Sequence, residues 1–239
     1  MRVQLVFKLD QPLPLFYRLG TLAIIKEAIQ NSSADYYTEL FEKQRKNMKP
    51  FCYGTYIPEL KIKEQKIHGK LLHMTISSPS YEFIMHLMNG SKKGNTYRIG
   101  QTTLVLTEKK LLPRKVITSS TVVFKSLSPI HLENQLQQPM LAIEPSFKEE
   151  LSFLATLILQ QVYEKTPKQP IQILQTMLKK QVIKENIHQR QSTPIFLTCN
   201  KGFIQVQGDP EDLQRIYEAG LSLRRSLGFG LLEIEGEVN

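Results

Sequence analysis

The chain has 239 residues, and its 31 Lys and Arg outnumber 22 Asp and Glu to give a formal charge of +9. With 41% hydrophobic residues it is too apolar to be disordered and long enough for one large domain, or two of about 100 residues each. No apolar run approaches the roughly 20 residues that span a bilayer, no secretory pattern follows the N-terminus, and Cys52 and Cys199 form no metal-ligand spacing. The expectation is a cytoplasmic protein with free thiols, no metal, no other cofactor and no membrane partner. The positive excess favours a polyanionic partner, because each neutralised phosphate releases condensed counterions.

Val3, Leu5, Phe7 and Leu9 alternate with polar residues and predict a half-buried strand. Leu15, Leu19, Leu22, Ile25 and Ile29 predict a helix over 15–30, and a second helix over Ala34–Lys46 has Ser33 as its cap. Pro50 ends that helix, and Phe51–Ile57 and Leu71–Ser77 read as extended. Pro79–Met88 reads as a short helix with Pro in its first turn and Asn89-Gly90 closing it, before a strand or hairpin over Thr96–Thr107.

Val116–Leu127 is β-branched and predicts a strand, and Phe147–Tyr163 predicts a long amphipathic helix. Ile171–Glu185 fits strand or helix equally, whereas Pro194–Val206 reads as a hairpin turning at Asn200-Lys201-Gly202. Asp209-Pro210-Glu211-Asp212 opens a helix with a cap, a first-turn Pro and two acids, and that helix ends at Gly220 ahead of a strand over 230–236. Each half thus runs strand, helix, strands, short Pro-started helix, strand. This order predicts an α+β protein of two tandem ferredoxin-like (βαββαβ) domains with antiparallel sheets, residues 1–111 and 112–239.

Basic residues gather at Lys61, Lys63, Lys66 and Lys70, at Lys92, Lys93 and Arg98, at Lys109, Lys110, Arg114 and Lys115, and at Lys179, Lys180, Lys184 and Arg190. Any one cluster is ordinary solvated surface. The segment Gly220-Leu-Ser-Leu-Arg-Arg-Ser-Leu-Gly-Phe-Gly230 is more specific. Its glycines let backbone amides approach a phosphate, and Arg224 and Arg225 offer fork-shaped donors to phosphate oxygens. Gly220, Ser222, Arg224, Arg225, Ser226, Gly228 and Gly230 are the candidate RNA-binding residues. A tight helix-to-strand turn would account for Gly220 but not for the Arg pair.

Within this segment and around it, Gly208-Asp-Pro-Glu-Asp-Leu, Tyr217-Glu-Ala-Gly-Leu and Ser226-Leu-Gly-Phe-Gly-Leu-Leu-Glu233 resemble the C-terminal signature of the CRISPR repeat-RNA-processing endoribonucleases, a family of the RAMP superfamily. Pro12-Leu-Pro-Leu15, Lys26-Glu-Ala-Ile29 and Phe124-Lys-Ser-Leu-Ser-Pro-Ile130 are similar to its earlier segments. The resemblance implies a tandem ferredoxin-like pair that cuts the precursor transcript within each repeat, without a metal. A ribose 2′-OH attacks the adjacent phosphorus in line, leaving a 5′-OH and a 2′,3′-cyclic phosphate or 3′-phosphate. It implies CRISPR repeat RNA, single-stranded or hairpin, as partner, and leaves open a homodimer and association with a CRISPR effector complex.

The chain departs from the family pattern at one place. Many members carry a catalytic His after the first helix, in a Leu-His-Glu setting, with a Tyr on that helix and a Lys nearby. Leu40-Phe-Glu42 puts Phe41 where that His would stand, Lys26 occupies the place of the Tyr, and Lys49 corresponds to the Lys. Three readings stay open. Lys26 and Lys49 stabilise charge with help from Arg224 or Arg225; or a tyrosine (Tyr36 or Tyr37) or a distant His such as His86 or His131 substitutes; or the chain binds repeat RNA without cutting it well. The candidate catalytic residues are Lys26, Lys49 and Tyr37. A ferredoxin-like module whose glycine loop binds a small phosphorylated ligand is the alternative from outside the family.

Overall fold

The computed structural model describes residues 1–185 and 195–238. Its first elements are β1 (Arg2–Leu9), β2 (Leu13–Pro14), α1 (Arg18–Ser32) and α2 (Ala34–Tyr37), which continues into a π-helical turn, Thr38–Lys43. β3 (Cys52–Tyr56), a small hairpin of β4 (Lys61–Lys63) and β5 (Lys66–His68), β6 (Leu71–Ser77), α3 (Tyr81–Gly90), β7 (Thr96–Ile99) and β8 (Thr102–Leu111) follow. Then come β9 (Thr121–Ser126), α4 (Phe147–Tyr163), β10 (Gln172–Glu185), β11 (Ile195–Gln207), α5 (Pro210–Ala219), a 3₁₀ turn (Arg225–Leu227) and β12 (Leu232–Val238).

Two compact units result. Met1–Asn47 and Thr55–Pro113, with Lys184 and Glu185, form the first; Met48–Gly54, Arg114–Ile183 and the segment from Phe196 form the second. The division falls at Pro113/Arg114, two residues beyond the boundary read from the sequence, and two short segments group with the opposite half.

One sheet has the order β3-β6-β1-β8-β7, with β1 central and antiparallel to both β6 and β8. Leu5, Phe7, Leu72, Met74, Leu104 and Leu106 are buried, as are Ile24, Ile25, Ala28 and Ile29 of α1 and Phe83, Ile84 and Leu87 of α3. The other sheet runs β10-β11-β9-β12, and the core of the second unit joins Val122, Phe124, Ile204 and Val206 to Leu151, Leu154 and Ile158 of α4 and Leu213 and Ile216 of α5. Both sheets are ferredoxin-like: the first and last long strands of each unit are neighbours in its sheet, a pairing that needs the intervening helices to cross one face.

Three local expectations are corrected. The turn expected at Asn200-Lys201-Gly202 does not exist, because β11 runs unbroken through it. Gly202 is there for close approach, since a Cβ would collide with the carbonyl oxygen of Met177. Pro79 lies outside α3, whose cap is Ser80, its hydroxyl accepting from the amide of Phe83 at 3.1 Å. Gly90 does not close that helix; it belongs to it, and a Cβ there would run into the carbonyl of Ala28 on α1. The ambiguous 171–185 segment is strand. Arg190 of the fourth basic cluster lies outside the described residues.

Candidate nucleic-acid interface

In the second unit, α5 is opened by Asp209, whose carboxylate accepts from the amide of Glu211, and it stops at Gly220, where φ of 79° turns the chain away. The segment from here to Gly230 folds as a knot of backbone contacts. The amide of Gly220 donates to Ile216, that of Leu221 to Gly230, that of Gly228 to Arg225 and that of Gly230 to Pro129. A Cβ on Gly220 would meet Cys52 Sγ at 2.5 Å and the Gly230 oxygen at 2.7 Å, and one on Gly228 would press on the Tyr53 ring at 3.1 Å. The three glycines therefore serve close packing at positive φ, and their amides face carbonyls rather than a phosphate.

The Arg pair divides. Arg225 is buried, and its guanidinium donates to the carbonyl of Ala219 at 2.8 Å and of Lys49 at 3.3 Å. Burial holds its pKa below the ordinary guanidinium value, yet a group that basic stays charged near neutrality. It staples the C-terminus of α5 to the 48–54 segment, and its expected role as a phosphate fork is corrected to that of an internal prop. Ser222 is also turned inward, its hydroxyl accepting from the amide of His131 at 2.9 Å. Arg224, by contrast, keeps an exposed guanidinium, held loosely by Glu133 at 3.4 Å, on a left-handed backbone with φ of 57°. Ser226 is half-buried on the 3₁₀ turn. The surface that the loop can offer an anion is thus Arg224 and Ser226.

Behind Arg224 is a feature that sequence reading treats as surface or scaffold. His131 is fully buried, with Nδ1 at 2.9 Å from the carbonyl of Thr198 and Nε2 at 2.8 Å from the Glu133 carboxylate. The carboxylate that touches Arg224 is therefore itself oriented from below. Only the pattern His131-x-Glu133 hints at this, and it has no meaning without the partner loop.

In the first unit, α1, α2 and the π-helical turn bring Lys26, Tyr37 and Phe41 together. Lys26 Nζ lies over the Phe41 ring at 5.0 Å, and the Tyr37 and Phe41 rings are 5.4 Å apart. Phe41 is buried, while Lys26 and Tyr37 are half-buried. Ser33 caps α2 by accepting from the amide of Tyr36, whose ring stacks on His86 at 4.7 Å. Burial pushes the Tyr36 phenol up, and Ser32 holds Nδ1 of His86 at 2.9 Å. Tyr36 and His86 are a packed pair. Lys49 is half-buried in the second unit, where its carbonyl receives Arg225.

A family model described as CRISPR associated protein Cas6, C-terminal, matches residues 110–234, which span all of β9 to α5 and the loop just described. The chain belongs to the Cas6 family. A protein of Methanocaldococcus jannaschii named CRISPR-associated endoribonuclease Cas6 1 is 24% identical over 245 residues, covering 97% of this chain and 92% of that one. Among solved structures, one titled as a Cas6-related gene from Pyrococcus furiosus aligns over 100% of this chain and 99% of its own with a TM-score of 0.80 at 19% identity. Another, titled as a RAMP protein binding different RNA substrates, covers 99% and 100% with a TM-score of 0.79 at 19% identity. These likenesses establish the Cas6 fold for both units.

Proposed function

We propose that this Cas6-family chain binds CRISPR repeat RNA through the Arg224 face of its glycine-rich loop and cleaves the precursor transcript within the repeat. The observation that supports it best is the loop itself, inside the matched Cas6 region, with three glycines and Arg225 committed to holding it and Arg224 left facing out. The relative of M. jannaschii carries the name of such an endoribonuclease.

The chemistry proposed is in-line attack by the substrate's own 2′-OH, giving a 5′-OH and a 2′,3′-cyclic phosphate without a metal ion. Such a reaction needs cations where the phosphorane gathers negative charge and a group to move the 2′-OH proton. Lys26, steadied over the Phe41 ring, supplies the cation, and Tyr37, against the same ring, supplies a hydroxyl. A second reading, RNA binding without turnover, is favoured by one observation: the position at which the family's His is expected holds Phe41, a buried ring with no proton to give.

Purified protein incubated with repeat RNA in EDTA separates the two. A single discrete cut bearing a 5′-OH supports cleavage, and Lys26→Ala should then lower its rate by about 10²-fold or more. Tight binding with no cut either in EDTA or with Mg²⁺ leaves the non-catalytic reading standing, and a cut that appears only with Mg²⁺ overturns the metal-free chemistry.

A further inference from the structure

The first unit carries a basic surface that the reading above does not use. β4 and β5 form a hairpin with a two-residue turn, with Lys61 opposite His68, Ile62 opposite Ile67 and Lys63 opposite Lys66. Side chains alternate across a strand, so Lys61, Lys63, Lys66 and His68 share one face, while Ile62 and the buried Ile67 take the other. Leu13 of β2 pairs with Ile67 and is itself buried, which anchors the arm to its unit along one edge. At the foot of the arm is a cavity of about 560 Å³ lined by Asp10, Gln11, Glu59, Lys61, His68 and Lys70 among others. Two acids, Asp10 and Glu59, line it as well, and Asp10 accepts from the amide of Thr103 at 2.8 Å, which lowers its pKa and keeps it negatively charged, so the cavity itself is not where phosphates are held.

Several other basic residues have partners. Lys109 donates to the carbonyls of Met88 and Ser91 at the end of α3, Lys110 pairs with Glu108, Lys115 with Glu233, and Lys168 with Asp209 and Glu211. Lys61, Lys63, Lys66 and Lys70 have no ion pair among the described residues, and all four are exposed. Uncompensated ammonium groups on one face of a ribbon repel each other. Alternate residues on a strand sit about 6.7 Å apart, close to the interval between successive phosphates of an extended nucleic-acid strand.

We propose that the lysine-bearing face of the β4–β5 hairpin is a second RNA site that grips the phosphate backbone of single-stranded RNA independently of base sequence. The site rests on the reading of this chain as an RNA-binding protein, and adds an anchor on the first unit to the Arg224 loop on the second. An ammonium is a point charge without a fixed donor fork, so such a site supplies affinity rather than sequence choice.

The test uses the full chain and a triple variant, Lys61→Gln/Lys63→Gln/Lys66→Gln, with Kd measured across a salt series for repeat RNA and for an oligouridine of equal length. Neutralising one phosphate fewer on a single strand makes the slope of log K against log salt shallower by about 0.7, so the variant's slope should be shallower by about 2 with both RNAs. An unchanged slope on oligouridine with unchanged affinity overturns the site. Wild-type protein that binds repeat RNA no better than oligouridine defeats the repeat-processing reading, while the slope comparison still decides the hairpin. Vesicles containing phosphatidylserine form a third arm. A variant that loses vesicle binding but keeps its RNA slope overturns RNA as the ligand.

Discussion

Arg224 and Arg225 are adjacent and chemically identical, and the backbone gives them opposite tasks. The left-handed φ of Arg224 swings its side chain outward, and the 3₁₀ turn that follows carries Arg225 inward onto two carbonyls. Replacing Arg225 with Ala leaves the Ala219 and Lys49 carbonyls without their charged donor in a buried place, and should cost about 3 kcal/mol of stability, read as a lower denaturation midpoint. Arg225→Lys should recover little of this, because a single ammonium does not span two carbonyls as the planar fork does. Arg224→Gly should behave in the opposite way. It relieves a left-handed non-glycine position worth about 1 kcal/mol, so stability holds or rises, while repeat-RNA affinity falls and the salt slope becomes shallower by about 0.7. A destabilised Arg224→Gly, or an Arg225→Ala that keeps its midpoint, would invert this assignment. The pair of arginines was readable in the sequence as a charged signal. Which one faces the solvent was not, because it depends on φ at one residue and on a distant segment of the chain, that of Lys49.

At the level of elements, local chemistry carried far where the signal was local. The alternation of β1, the Ser33 and Asp209 caps, the Phe147–Tyr163 helix and the strand Leu71–Ser77 are all legible from neighbours in sequence. Glycines misled for a common reason. Gly202 looks like a turn and Gly90 like a helix stop, yet each is needed because another strand or helix passes close to it, information held by a distant part of the chain. The converse also occurs: the tight turn between β4 and β5 has neither Gly nor Asn. Glu64 and Gln65 occupy it with φ of 50° and 57°, the combination of a type I′ turn. Glu64→Asn/Gln65→Gly should therefore stabilise the hairpin, by about 1–2 kcal/mol for two relieved residues, seen as increased protection of its amides from hydrogen exchange. It should also sharpen RNA binding through the Lys61, Lys63 and Lys66 face by removing one acid and making the ribbon stiffer. Faster exchange in this variant would mean that the turn is not strained in the way its angles imply.

For the whole chain, a charge of +9 and two copies of one folding pattern make RNA binding the expectation, and family membership agrees with it. Cleavage is a narrower matter. The proposed phosphate-binding residues are spread over the loop and the basic surface, whereas the proposed chemistry depends on a few groups, among them Lys26 and Tyr37 beside the Phe41 ring. Binding and cutting should for that reason be separable in the substrate as well as in the protein. Affinity is carried mainly by phosphates, so a repeat RNA with a single 2′-deoxy nucleotide at the scissile position should bind within about fivefold of the all-ribose RNA, since one hydrogen bond to a hydroxyl is worth about 1 kcal/mol at most in such a setting. The same RNA should not be cut at all, because the deoxy sugar lacks the attacking oxygen itself. Gel-shift and cleavage assays on the two RNAs, side by side, read both quantities. Cutting that survives the deoxy substitution would mean that water or a protein group is the nucleophile, and Lys26 and Tyr37 would then have to be reconsidered as the groups that activate it.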